Sequence, residues 1–159
     1  MGAADYRAYL DLLHELSGCL DRLSILAQEK ADCVRQDDLT ALSDVLKREQ
    51  AMSLSLRGLD QRRIKLLEGL GLNGVSLRDL PGRVPPELED EARKAAEAAQ
   101  RSYQEYRSYA GMARNTLELS LHQIERVLTA AGVDPADPGA GYEPPGVEPP
   151  QNMKTDFRA

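Results

Sequence analysis

The sequence predicts an all-α protein with three long helices in an elongated antiparallel bundle or coiled coil, followed by a disordered tail rich in proline and glycine. The 159 residues include 24 leucines but only 10 valines and isoleucines together, whereas strands favour β-branched side chains. Aromatic residues make up only 4% and tryptophan is absent, which favours a narrow leucine seam over a compact aromatic core. The length corresponds to one domain, expected at residues 1–132, with the tail at 133–159.

The first helix is expected over residues 5–36, because apolar residues recur there in steps of three and four. Three further leucines widen the apolar stripe, so this helix should be buried on more than one side. Only Lys30 interrupts the stripe. The stripe consists of Tyr9, Leu13, Leu16, Leu20, Leu23, Ala27 and Val34, widened by Leu10, Leu12 and Leu26.

A tight turn at Asp37 and Asp38 is expected to lead into the second helix, over residues 38–70, because aspartate is a preferred N-cap. Two polar residues, Glu49 and Arg63, occupy stripe positions in this helix and interrupt its apolar pattern. The apolar members of the stripe are Leu42, Val45, Met52, Leu56, Leu59, Leu66 and Leu70.

Residues 72–86 contain glycine and proline at a density that predicts a loop. Pro85 and Pro86 then begin a third helix, expected over residues 86–131, because proline suits the first helical turn. At about 45 residues this helix would be about 68 Å long, which exceeds either partner. Its stripe consists of Leu88, Ala92, Ala95, Ala99, Tyr103, Tyr106, Ala110, Ala113, Leu117, Leu121, Ile124 and Leu128.

The stripe of the third helix changes midway from alanine and tyrosine to leucine and isoleucine. Two interpretations of its far half are open. In one, this half completes the bundle core against the first helix. In the other, it covers an apolar helical face of a partner protein. The residues concerned are Leu117, Leu121, Ile124 and Leu128.

Three tyrosines, Tyr103, Tyr106 and Tyr109, lie close together on the third helix. Tyrosine combines contact area with a polar tip, so such a group is typical of interaction surfaces. The favoured interpretation is that they pack in the core, against Tyr6 and Tyr9 on an antiparallel neighbour.

The tail holds six of the nine prolines and buries too little apolar surface to offset the chain entropy, so it is expected to be disordered. Tyr142 lies there in the sequence GYEPPG, where no core explains it. A lone aromatic in an extended proline-rich segment often anchors a short recognition motif, and a chance tyrosine in a linker is the alternative. Phe157 is the other aromatic in the tail that no fold is expected to need.

No pattern of catalytic or cofactor-binding residues is present, and we expect neither an enzyme nor a bound metal or other cofactor. His14 and His122 suggest the ligands of a di-iron bundle, but each lies one residue past a stripe leucine, about 100° from the core. Cys19 and Cys33 are 14 residues apart in one helix, about 21 Å and too far for a disulfide. Two reduced thiols suit a cytoplasmic protein.

The formal net charge of -6 argues against sequence-independent nucleic-acid binding, which needs a dense positive field. No run approaches the roughly 20 apolar residues that span a bilayer, and the first residues lack the pattern of a signal peptide. We therefore expect no membrane insertion. A basic run in the second helix should be a solvated face, because nearby carboxylates partly neutralise it. It consists of Arg57, Arg62, Arg63 and Lys65.

In their order, these parts resemble the FlgN family of flagellar type III export chaperones. The resemblance covers nearly the whole chain, from about Tyr6 to Phe157. It is carried by the stretch EKADCVRQDDLTALSDVLKREQAMSLSLRGLDQRRIKLLEGLGL, by the SLRDLP turn that follows, and by ARNTLELSLHQIERVLTAAG with a tail containing Tyr142 and Gly146. None of these is specific alone, and their joint order carries the likeness.

The resemblance implies a cytoplasmic, non-enzymatic chaperone, monomeric or homodimeric. Such a protein binds the terminal helical segments of hook-filament junction proteins, prevents their premature assembly and delivers them to the export gate. The far half of the third helix would then be the client site, and Tyr142 would match the family's tail tyrosine that contacts the export gate. A self-associating coiled-coil scaffold or adaptor without a chaperone role is the alternative.

Overall fold

The computed structural model describes residues 2–133 and 149–157. Three long helices dominate it, α1 (Ala3–Arg35), α2 (Leu39–Gly69) and α3 (Glu89–Ala130), and a short helix α4 (Gln151–Asp156) follows. Two 3₁₀ turns, Leu80–Arg83 and Pro86–Leu88, lie between α2 and α3. No strand occurs among the described residues. The predicted all-α class with three long helices is confirmed.

The turn between α1 and α2 forms at the two aspartates that predicted it. Asp37 adopts the left-handed conformation, with φ of 54°, which a short polar side chain tolerates better than most. The Asp38 side chain then accepts a hydrogen bond from the Ala41 backbone N–H at 3.1 Å. This bond satisfies one of the N–H groups that the first turn of a helix leaves without a partner.

The α1 helix is the centre of the bundle and packs against both α2 and α3. It runs antiparallel to α2, as the contacts from Cys19 to Met52 and from Lys30 to Glu49 indicate. Its contacts with α3 advance in the same direction along both helices. Tyr106 of α3 lies near Cys19 of α1, and Ala113, farther along α3, packs against Ala27 and Ala31, farther along α1. Helices α1 and α3 are therefore parallel.

Two polar residues that interrupt the apolar stripes of α1 and α2 pair with each other. Lys30 Nζ lies 2.9 and 2.8 Å from the two carboxylate oxygens of Glu49, and the Glu49 side chain is only 4% exposed. A buried carboxylate without a counter-charge would be strongly destabilising. Each helix thus places a charged residue within its apolar stripe because the other helix supplies the opposite charge at the same level.

The tail predicted to be disordered over 133–159 is not disordered at residues 149–157. Within them, residues 151–156 form α4, and the side chains of Met153 on this helix and of Phe157 directly after it are completely buried in the main core. Their spacing of four places both on one face of the short helix. The prediction was wrong here because it averaged composition over a long segment, and two large apolar side chains on one face are enough to dock a single turn.

The burial of two tyrosines makes the fold less stable at alkaline pH. Desolvation, followed by the nearby Glu49 carboxylate, raises the pKa of Tyr106 well above its ordinary value, and burial raises the pKa of Tyr9 as well. A raised pKa in the folded state contributes stability that is fully present below the unfolded value of about 10 and is lost as pH rises beyond it.

We therefore expect the free energy of unfolding to fall between about pH 10 and 11.5, with Tyr106 contributing up to about 1.4 kcal/mol per pH unit. Urea denaturation at several pH values measures this slope. The Tyr106→Phe variant should show a shallower slope whatever its absolute stability. Parallel pH profiles for the two proteins would contradict the expectation.

Candidate functional site

The far part of α3 extends past the end of the bundle. Ala113 is the last fully buried residue of α3, and it packs against Ala27 and Ala31 near the end of α1. The helix nevertheless continues to Ala130, which adds about 25 Å at 1.5 Å per residue. This extension, from Arg114 to Ala130, has no fully buried residue.

One face of the extension continues the core-facing stripe of α3. Four apolar residues follow Ala113 on this face, in helical steps of four, four, three and four. We call them the distal stripe. Within it, Leu121 is 38% and Ile124 55% exposed, and the other two are half-buried. The distal stripe consists of Leu117, Leu121, Ile124 and Leu128. The interpretation in which this half completes the core against the first helix is therefore wrong.

The opposite face of the extension is polar. Glu118, His122 and Arg126 are all exposed away from the distal stripe, and the large apolar residues exposed away from it on the extension are Leu119, at 65%, and Val127, at 68%. Because successive residues lie 100° apart, Leu119 is more than a third of a turn away from the centre of the distal stripe. The extension is thus amphipathic, with an apolar face that the described residues leave uncovered.

The three tyrosines of α3 behave mostly as core residues. Tyr103 and Tyr106 are fully buried, and Tyr109 is half-buried against the alanines near the end of α1. The predicted antiparallel neighbour is wrong, because α1 and α3 are parallel and Tyr103 instead makes an edge-to-face contact with Phe157, at 5.4 Å between ring centres. These rings are therefore not a free interaction surface.

The histidines and cysteines considered for chemistry lie apart from one another. His14 and His122 are both exposed on different helices, and both cysteines are free thiols. No group of three or more potential metal ligands occurs in the part of the chain that the structure describes. Tyr142 lies outside the described residues.

The prediction that the basic run of α2 is entirely solvated is wrong for one member. Arg57, Arg62 and Lys65 are exposed, but the Arg63 side chain is only 1% exposed. It donates to Asp60 at 2.9 Å and to Asp156 of α4 at 2.8 Å. The signal that identifies it is its position on the apolar stripe of α2, which carried more information than its membership of a basic run.

None of the helices within residues 2–133 and 149–157 is both long enough and apolar enough to cross a membrane. Comparison with protein families shows a match over residues 1–150 to the family described as FlgN protein. No curated protein matches the chain significantly, and no solved structure does either.

Proposed function

The chain belongs to the FlgN family of flagellar export chaperones, and on that premise we propose that it binds terminal helical segments of hook-filament junction proteins through the distal stripe. It prevents their premature assembly and delivers them to the flagellar export gate from the cytoplasm. The observation that carries the client site is the uncovered apolar face of α3 beyond Ala113. Flagellar hook-associated proteins are the partners that the family implies.

The spacing of the distal stripe matches the apolar helical face that an unassembled client exposes. A segment that forms a coiled coil only after assembly exposes an apolar helical face beforehand. A helical groove or stripe recognises such a face through side chains at steps of three and four, which is the spacing of the distal stripe. Because the stripe continues the face by which α3 packs on α1, a client helix lying on it would extend the bundle beyond Ala31.

The energetics suit reversible capture. Complete burial of a leucine or isoleucine side chain stabilises by about 1.5 to 3 kcal/mol, and two of the four stripe residues are already half-buried before a client arrives. Binding also costs translational and rotational freedom. The prior partial burial and the cost of association both reduce the net binding free energy, which favours reversible capture.

Co-purification with recombinant client segments tests the proposal. The full chain should retain the terminal segment of a hook-filament junction protein, and a chain lacking residues 115–132 should not. The deleted residues include no fully buried side chain, so the bundle should survive the deletion. Retention of the client by the deletion variant would refute the assignment of the client site.

The uncovered stripe also suits the alternative function, a self-associating coiled-coil scaffold, because two distal stripes could cover each other. Sedimentation velocity separates the two. A chaperone should be monomeric or weakly dimeric alone and form a defined complex with client. A multimer that neither dissociates on dilution nor accepts client would favour the scaffold.

For delivery, Tyr142 is the residue proposed to contact the export gate. We expect Tyr142→Ala to weaken binding to the cytoplasmic domain of the gate by about tenfold or more, as removal of an aromatic anchor does. Tyr142→Phe keeps the ring and should lose less. Affinity can be measured by isothermal titration calorimetry. Client binding should stay unchanged in both variants, and equal gate affinity for Tyr142→Ala and the unaltered chain would discard the docking role.

A further inference from the structure

Helix α4 lies in a socket formed by the three long helices and the loop after α2. We call it the α4 socket and define it as Tyr9, Arg63, Leu77 and Tyr103. Phe157 contacts Tyr103 edge to face at 5.4 Å, and the Arg63 guanidinium lies over the Phe157 ring at 5.3 Å. The Tyr9 side chain is hydrogen-bonded to Arg63. All four socket residues are at most 2% exposed.

The socket binds a carboxylate as well as an aromatic ring. Asp156 accepts a hydrogen bond from Arg63 at 2.8 Å and its backbone carbonyl accepts one from the Leu77 N–H at 3.3 Å. The Arg63 charge is thus shared between Asp60 of its own helix and Asp156 of α4. Tyrosine and arginine are the residue types that dominate binding at protein interfaces, and here they are concentrated around one short segment.

Helix α4 is held as a bound ligand would be. It has six residues, far below the roughly 12 to 15 at which an isolated helix becomes marginally stable in water. Its N-cap, Pro150, makes no side-chain capping bond. Its conformation therefore depends on the two buried anchors, Met153 and Phe157, and on the Asp156 contacts.

From this geometry we propose that the α4 socket is a peptide-recognition site that α4 occupies and masks. Its ligands are short helices with two apolar side chains four residues apart. The second of these side chains must be aromatic, and the residue just before it must carry a carboxylate. A segment of another protein with this pattern displaces α4. Because α4 is tethered to the bundle, it competes at an effective concentration on the order of millimolar. A partner segment therefore needs a dissociation constant well below the millimolar range to displace α4. This site is separate from the distal stripe and does not depend on the client proposal.

A labelled peptide supplies the test. The full chain carrying Met153→Ala and Phe157→Ala leaves the socket empty, and a fluorescent peptide of residues 149–157 is added to it. Fluorescence anisotropy should show the peptide binding this variant at least tenfold more tightly than the unaltered chain. The same peptide with Phe157→Ala should not bind. If the variant keeps its helical circular dichroism and yet binds the peptide no more tightly than the unaltered chain, the proposal is overturned.

A second measurement needs no variant. The Leu77 N–H, which donates to Asp156, reports on release of α4 in the unaltered chain. Its hydrogen exchange should be at least tenfold faster than that of a core amide such as Leu20, because α4 leaves while the bundle stays folded. Equal exchange would show that α4 leaves only on global unfolding and would overturn the proposal. So would a dimer of the unaltered chain that the double variant converts to monomer, since a second copy would then fill the socket.

Discussion

Replacing both Leu121 and Ile124 by aspartate should reduce client affinity at least about a hundredfold. Each substitution places a charge on the apolar face of the distal stripe, and a loss of about 1.4 kcal/mol or more at each of the two positions gives that hundredfold change. Both side chains are already exposed, at 38% and 55%, so the free energy of unfolding of the bundle should change little. Calorimetric titration with a client segment, beside a urea melt, measures both quantities.

The control for this variant changes the same charge on the other face of the same helix. Leu119 and His122 are exposed and lie away from the distal stripe, and their replacement by aspartate should leave client affinity within about twofold. Equal loss in both double variants would indicate a general charge effect. Unchanged affinity in the stripe variant would contradict the client site.

Replacing Arg63 by leucine should destabilise the protein by about 3 to 5 kcal/mol, because it leaves the buried Asp60 carboxylate without its partner. The Asp60 side chain is 3% exposed, whereas Asp156 is 22% exposed and can be hydrated more easily. For a chain of this size, that loss lowers the melting temperature by about 6 to 20 °C. Thermal and urea denaturation followed by circular dichroism give both values.

The neighbouring arginine provides the control. Arg62 is 63% exposed on its side chain and pairs with Glu15 at 3.5 Å, a surface contact worth between nothing and about 1 kcal/mol. Arg62→Leu should therefore be nearly neutral. Adding Asp60→Leu to Arg63→Leu should recover part of the stability, because it removes the stranded charge. Similar melting temperatures for the two single arginine variants would contradict the buried network.

The sequence predicted the long helices well because their signals are local. Steps of three and four along α1 place Leu13, Leu16 and Leu20 on one face, and all three are fully buried. The acidic turn at Asp38 requires only a cap and the following helix. In both cases, the residues that determine the structure lie within a few positions of one another.

The errors concern contacts between residues far apart in the chain. Arg63 and Asp156 are separated by 93 positions, so neither a basic run nor a proline-rich tail indicates that they meet. The parallel arrangement of α1 and α3 depends on how the loop after α2 returns the chain. The change in side-chain type along the stripe of α3 is visible in the sequence, but the sequence could not show whether α1 reaches far enough to cover the far half of that stripe.

Hydrogen exchange of the full chain with and without a client segment tests the central claim most directly. The claim is that the client helix lies on the part of α3 that extends past the bundle. It predicts slower exchange over residues 117–128 in the complex, with amides of α2 unchanged. Unchanged exchange over 117–128, together with protection on the exposed face of α2, would contradict it.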